Sequence, residues 1–310
     1  MSTPRFSVVI PVFNGAQTVA RAIDSVLAQR YPAHEIIVVD DGSVDDTAKV
    51  LAQYQDHIRI ISQANAGVSA ARNAGGRAAT GDWLAFLDAD DGYFPDRLKL
   101  HAEWIATDPT LDFLTGDYEY RDDAGNLLGT SMLQHDAGSM MLAKAAGSAH
   151  VVMDQPHEIQ TYVADHFGDT HTLSVPRAIF VELGGYPLGY RVCEDIHFLT
   201  RLVARSHRIG VICVPLGVYL IHGSSTTRRN PVAAQRENVR TLTDLESLAK
   251  NFPSPVRLGI RQRIQNARYN LGCALTKEAQ HSAAVRAVLP SLISNPGWRS
   301  LRDVLSMMKG

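Results

Sequence analysis

Short apolar runs alternate with amphipathic segments through the first third of the chain. Phe6 to Phe13 is β-branched and mostly apolar, as expected of a strand covered on both faces. From Gln17 to Gln29, the apolar residues Val19, Ala22, Ile23, Val26 and Leu27 recur at helical spacing. Glu35 to Asp40 predicts a second buried strand, Asp45 to Tyr54 a helix with an acidic first turn, and Ile58 to Ile61 a third strand. An alanine-rich helix over Val68–Ala79 precedes a fourth strand at Trp83–Asp88, and Pro95 opens a helix reaching about Ala106. This alternation implies a three-layer α/β/α sandwich around a mainly parallel mixed sheet.

After Asp112 the pattern changes. Phe113 to Arg121 predicts a strand that enters a turn at Asp122–Asn126, whereas residues 130–170 are weakly periodic and predict a long mobile connection. A helix from Arg177 to Leu183 stops at Gly184-Gly185, another spans Glu194–Arg205, and an apolar run covers Ile209–Leu220. From Pro231 onward the segments are helical and arginine-rich. The expected organisation is a body over 1–230, with halves at 1–122 and 123–230, and a helical extension over 231–310.

Charge sharpens this division. The 310 residues carry 30 Lys+Arg and 32 Asp+Glu, a net −2. Residues 236–310 hold 12 basic and 5 acidic side chains (+7), leaving 18 and 27 (−9) for the remainder. An acidic body would repel a phosphate backbone, which argues against nucleic acid as a partner. The three cysteines are odd in number and widely spaced, so neither a disulfide framework nor a CxxC metal site is expected. No signal-like leader and no membrane-length apolar stretch is evident, which predicts a cytoplasmic protein, free or peripheral on the inner face of the membrane.

In an open α/β sheet, ligands sit beyond the carboxyl ends of the strands. There the chain places Pro11 to Gly15, then Asp40-Asp41-Gly42-Ser43, then Asp88-Ala89-Asp90-Asp91-Gly92. Neither a G-x-G-x-x-G fingerprint nor a phosphate-cradling P-loop is present, so a bound diphosphate would need a metal. Asp88 and Asp90 supply hard oxygen ligands suited to Mg²⁺ or Mn²⁺, although acidic turns after strands are also common for structural reasons alone.

The combination is more specific than any part. Ser7-Val8-Val9-Ile10-Pro11-Val12-Phe13-Asn14, Val38-Val39-Asp40-Asp41-Gly42-Ser43, Ala71-Arg72-Asn73 and Phe86-Leu87-Asp88-Ala89-Asp90-Asp91 follow in that order. Gly184-Gly185-Tyr186, Glu194-Asp195 and His222-Gly223-Ser224-Ser225 come later. This series resembles glycosyltransferase family 2, whose members invert the anomeric centre and share the GT-A fold. The resemblance implies that Pro11, Val12 and Asn14 line a base pocket, Asp41 accepts from a uracil-type ring, and Arg72 lies near the diphosphate. Asp88 would hold the ribose, and Asp90 would bind a divalent metal (Mn²⁺ or Mg²⁺), with His222 a later metal or phosphate contact. Arg228 or Arg229 would clamp the leaving phosphates.

Sugar transfer with inversion also needs a carboxylate to take the acceptor hydroxyl's proton. Asp195 is that candidate, Glu194 would orient the acceptor or a loop, and Tyr186 stands where an aromatic ring contacts acceptor sugars. The donor implied is a nucleotide-diphosphate sugar, UDP-linked. The acceptor is a saccharide or lipid-linked saccharide of the kind used in cell-envelope polysaccharides. A nucleotidyltransferase on a similar sheet and a non-catalytic glycan-binding module are the alternatives. His135, His150, His166 and His171 are expected at the surface. In the tail, Val256, Ile260, Ile264, Ala267 and Leu271 form an apolar stripe among Arg257, Arg261, Arg263 and Arg268. It would pack on the body, on a second subunit of a homo-oligomer, or on anionic lipid.

Overall fold

The computed structural model describes residues 3–221, 230–294 and 296–309. The chain runs β1 (Phe6–Val12), α1 (Val19–Leu27), β2 (Glu35–Asp40), α2 (Thr47–Ala52), β3 (Arg59–Ser62), α3 (Val68–Ala78), β4 (Trp83–Phe86), β5 (Gly92–Tyr93), α4 (Arg97–Thr107) and β6 (Phe113–Asp122). It continues through β7 (Leu127–Thr130), α5 (Ser131–Gln134), α6 (Asp136–Ala145), β8 (His150–Met153), α7 (Pro156–Ala164), β9 (Ser174–Pro176), α8 (Arg177–Glu182), α9 (Glu194–Arg205) and β10 (Ile209–Ile221). Four helices close the described chain: α10 (Pro231–Leu248), α11 (Ser254–Lys277), α12 (His281–Ser294) and α13 (Trp298–Lys309).

One mixed sheet has the order β3-β2-β1-β4-β9-β6-β10-β5, with β7 on β6 and β8 on β10. The pairs β1–β2, β1–β4, β2–β3 and β6–β10 are parallel, and β9 is the antiparallel strand that joins the two parallel groups. Both faces are buried, so alternate residues of one strand enter different cores. Val9, Ile37, Val39, Leu84 and Phe86 face one side, while Val8, Ile10, Ile36, Val38 and Ala85 face the other. That geometry explains why these strands are nearly continuous in Val and Ile. Strand order reverses at β1, with β2 on one side and β4 on the other, and this opens a crevice at their carboxyl ends.

One expectation needs correction. Residues 130–170 are ordered as α5, α6, β8 and α7 rather than as a mobile connection. Gly138, in α6, lets that helix touch the Met132 backbone, where an added Cβ would lie 2.3 Å from the Met132 Cα. Gln155 and Glu158 form a reciprocal capping box at the start of α7. The apolar stripe of α11 takes the first of its expected alternatives, packing on the body. Val256, Ile260, Ile264 and Ala267 join the same core as β1, β2 and β4, and Leu271 packs with α12 and α13 residues. The stripe faces protein of its own chain, so it is not a lipid-binding face. No helix among the described residues is long and apolar enough to cross a membrane.

Candidate active site

The crevice is floored by loops that fasten one another. Asn14, at φ 51°, follows β1 in the left-handed region that asparagine tolerates better than most residues. Its Oδ1 accepts from the Val44 N–H at 2.9 Å, and its own N–H donates to Ser43 Oγ at 2.9 Å. The Asp41 N–H donates to the Val12 carbonyl at 2.8 Å, carrying the end of β2 alongside buried Pro11 and Val12. The Asp41 carboxylate accepts from Gln63 Nε2 (2.7 Å), Ala66 N (3.0 Å) and Gly67 N (2.8 Å). Three of its roughly four acceptor positions are therefore filled, and among the described residues no donor takes the fourth. Asp40 accepts from the Ser43 N–H at 2.9 Å, a turn-closing role.

Arg72 lies at the centre of the acidic wall. It projects from α3, is buried, and donates from Nη2 to both Asp88 oxygens at 2.7 and 3.0 Å and from Nη1 to Glu194 Oε1 at 3.0 Å. One guanidinium thus ties the end of β4 to the first turn of α9, which a point-charge lysine could not do with the same fork. Burial works against its charge, but Asp88, Tyr186 and Glu194 outweigh that, and its pKa is raised well above the ordinary value. Burial and the neighbouring Asp195 push Glu194 the other way for a carboxyl, upward, with Arg72 opposing.

Beyond Asp88 the chain turns, with the Asp91 N–H donating to the Asp88 carbonyl at 3.1 Å and Arg21 Nη2 to the Asp90 carbonyl at 2.6 Å. Asp91 is buried and accepts from the Leu220 N–H at 3.1 Å, which anchors the end of β10 beside the acidic turn. Burial and the adjacent Asp90 and Asp88 raise its pKa well above the carboxylate range. His171 is buried with its Nδ1 3.8 Å from Asp91, not at the surface as expected, and burial lowers its pKa to about 4.

Asp195 opens α9 and shares a small cavity with Asp169, Thr115, Thr170 and Tyr186. Its pKa is pushed up to about 7 by burial, then by the charge of Asp169 and a hydrogen bond to it. Asp169 was invisible to pattern reading, since a lone aspartate in a weakly periodic segment carries no signal. It caps the 3-10 turn Thr170–Thr172 by accepting from the Thr170 N–H at 2.7 Å. Tyr186 also differs from expectation: it is 2% exposed, and Phe86, Phe180 and Phe198 surround its ring. No ring face is left for a sugar, so it is a packing residue whose carbonyl and N–H are held by Asn73 at 2.8 and 2.7 Å.

The structure therefore brings Asp41, Arg72, Asp88, Asp90, Glu194 and Asp195 to one crevice. His222, Arg228 and Arg229 lie outside the described residues. Among the described residues no group of three metal-ligating side chains occurs. A Mg²⁺-type cation does not require one, because it is commonly held by one or two carboxylates with the substrate's phosphates. Asp88 is engaged by Arg72, and Asp90, a carboxylate in a turn where three aspartates crowd, is a hard oxygen donor of the type such a cation takes.

The profile of glycosyl transferase family 2 matches residues 7–150. An uncharacterised glycosyltransferase of Nostoc sp. is 31% identical over 292 residues, covering 90% of this chain and 84% of that protein. The chain belongs to glycosyltransferase family 2. Shorter stretches at 38% to 45% identity match other bacterial proteins over less than a third of their length. Among solved structures, S. aureus TarS (residues 1–349) superposes with a TM-score of 0.66 at 16% identity, covering 98% of this chain and 90% of that one. The Pyrobaculum calidifontis mannosyltransferase PcManGT, solved with GDP-Man and Mn²⁺, gives 0.60 at 17% identity, covering 99% and 80%. The fold is GT-A.

Proposed function

We propose that this glycosyltransferase moves a hexosyl or N-acetylhexosaminyl group from a UDP-sugar to a hydroxyl of a saccharide or lipid-linked saccharide, with inversion. The observation that carries this reading is the convergence of Asp41, Asp88, Asp90 and Asp195 on the crevice where strand order reverses. Relatives by fold support a nucleotide-sugar donor: TarS was solved with UDP-GlcNAc and PcManGT with GDP-Man. The open acceptor position of Asp41 suits the N–H of a uracil ring, and Pro11, Val12 and Asn14 would border the base.

Asp88, its rotamer fixed by Arg72, would accept from a ribose hydroxyl, and Asp90 would hold the divalent cation with the donor's phosphates. Bound there, such a cation would supply Lewis-acid stabilisation of the departing diphosphate. Asp195 takes the acceptor's proton as its oxygen attacks the anomeric carbon, and the C–O bond to the diphosphate breaks on the opposite face. Glu194, pinned by Arg72, sets the first turn of α9 and hence the direction of Asp195. Isothermal titration of UDP with and without Mn²⁺ tests the donor side. Metal-dependent binding of UDP, weaker for GDP, supports it, and no UDP binding with either Mn²⁺ or Mg²⁺ overturns it.

A further inference from the structure

We propose that Asp169 is a positioning residue for the base: its carboxyl and that of Asp195 hold a single proton between them, and the pair acts as one unit. This rests on the reading of Asp195 as the group that deprotonates the acceptor. The two side chains come from unrelated parts of the chain, the turn before β9 and the first turn of α9, yet stand within hydrogen-bonding reach. They line one cavity of about 10 Å³, close to the least space a single water needs. Two carboxylates that close cannot both be charged without a large cost, so the pair keeps a proton into the neutral range.

The turn that carries Asp169 is built to hold it still. Gly168 precedes it at φ 70°, with Thr115 Oγ1 2.4 Å from where a Cβ would stand, so only glycine fits there. The Gly168 N–H donates to Ser131 Oγ at 3.2 Å, and the Asp169 N–H to Thr172 Oγ1 at 3.2 Å. The Asp169 carboxyl accepts from the Thr170 N–H and caps the turn, which fixes its orientation beside Asp195 across the shared cavity.

The charged groups around the pair come from every neighbouring element. Arg72 of α3 and Arg263 of α11 favour the ionised pair, while Asp88 at the end of β4 and Glu194 of α9 oppose it. Arg263 also donates to His166 Nδ1 at 2.9 Å. That bond, with burial, keeps the imidazole neutral, so it adds no charge to the cavity wall. In the reaction, which starts from the fully ionised pair, the acceptor O–H bond breaks as its oxygen bonds to the anomeric carbon, the anomeric C–O bond breaks with its electron pair leaving on the nucleoside diphosphate, and the proton passes to Asp195. Asp169, ionised at that moment, accepts a hydrogen bond from the newly formed Asp195 carboxylic acid. No other reactant is required.

Infrared titration of the protonated-carboxyl stretch tests this on the full-length protein without any ligand. It compares wild type, Asp195→Asn and Asp169→Asn between about pH 5 and pH 9. Asparagine still accepts from the Thr170 N–H, so the turn is preserved, and a matching thermal melt verifies it. Each spectrum is read as a difference from Asp195→Asn, which cancels the protonated carboxyls of Asp91, Asp117 and Glu194 that all three proteins share. The expected result is a wild-type difference band lost near neutral pH, and in Asp169→Asn a difference band lost at least about one pH unit lower. An Asp169→Asn difference band that titrates with wild type overturns the pairing, as does the lack of any wild-type difference band near neutral pH. If Asp169→Asn fails to fold, Asp169→Glu replaces it, and a titration unmoved by that displaced carboxyl also overturns the pairing. Failure of Asp195 as the base would appear elsewhere, as sugar transfer persisting in Asp195→Asn.

Discussion

Replacing Arg72 with methionine keeps most of the side-chain volume and deletes the charge that Asp88 and Glu194 share. The Arg72 side chain is 4% exposed, Glu194's 11% and Asp88's 33%. Removing one partner of a buried ion pair costs about 3–5 kcal/mol, because the remaining charge is stranded away from water. Water reaches Asp88, and Glu194 can take up a proton, so the lower end applies, about 3 kcal/mol. At about 2 °C per kcal/mol for a chain of this size, the melting temperature should fall by about 6 °C. Circular dichroism melts of wild type, Arg72→Met and Arg72→Lys measure it. Lysine should recover only part of the loss, since an ammonium cannot fork to both carboxylates. The methionine defect should be larger at pH 8 than at pH 5, where Glu194 is neutralised more readily. A methionine variant that melts within about 1 °C of wild type at both pH values would refute the bridge.

Three further outcomes follow from the same contacts. Because Asp195 titrates at about 7, transfer should rise as pH passes upward through neutrality. The same raised pKa favours the folded state below the ordinary aspartate value of 3.8, and that contribution is lost as pH rises through about 7. Melts of the ligand-free protein should therefore fall over that window, less so in Asp195→Asn, and a pH-independent difference between the two would contradict it. Gly185→Ala places a Cβ 2.2 Å from Asn73 Oδ1 at φ 70°, whereas Gly184, at φ 73°, has nothing near it. Urea unfolding should show Gly185→Ala losing about 2–3 kcal/mol and Gly184→Ala about 1 kcal/mol, and equal losses would contradict the packing argument. A chain ending at Asn230 strips Leu242, Leu245, Val256, Ile260 and Ile264 from the main core. It should be insoluble or bind a hydrophobic dye, and a monodisperse, cooperatively melting 1–230 fragment would show that the extension is dispensable.

The first hundred residues could be read almost directly. The strands β1, β2 and β4 are buried on both faces, so apolar runs mark them, and the acids stand at strand ends where neighbours in sequence are neighbours in the crevice. The segment 130–170 resisted for the opposite reasons. Helix α5 has four residues, β8 is a short edge strand, and α6 buries Ala137 and Gly138, small residues that pattern reading takes for a breaker, beside Met141. A usable signal was present at Gln155-Pro156-His157-Glu158, which has the spacing of a capping box with proline in the first turn. Asp169 gave none, because its meaning depends on Asp195, which only the tertiary structure brings near. The apolar stripe of α11 was visible, but its periodicity is the same whether it meets lipid or protein. Only the position of α7 and the sheet decides between them.

The role of Asp195 is tested most directly by nucleoside-diphosphate release from a panel of UDP- and GDP-sugars, comparing wild type with Asp195→Asn, alongside UDP titration of both. Loss of a general base costs about 10²–10⁴ in rate. The prediction is a fall of that size in UDP release on the productive donor, with UDP affinity unchanged within about twofold. An Asp195→Asn variant that transfers at the wild-type rate would contradict the assignment of the base and the mechanism built on it.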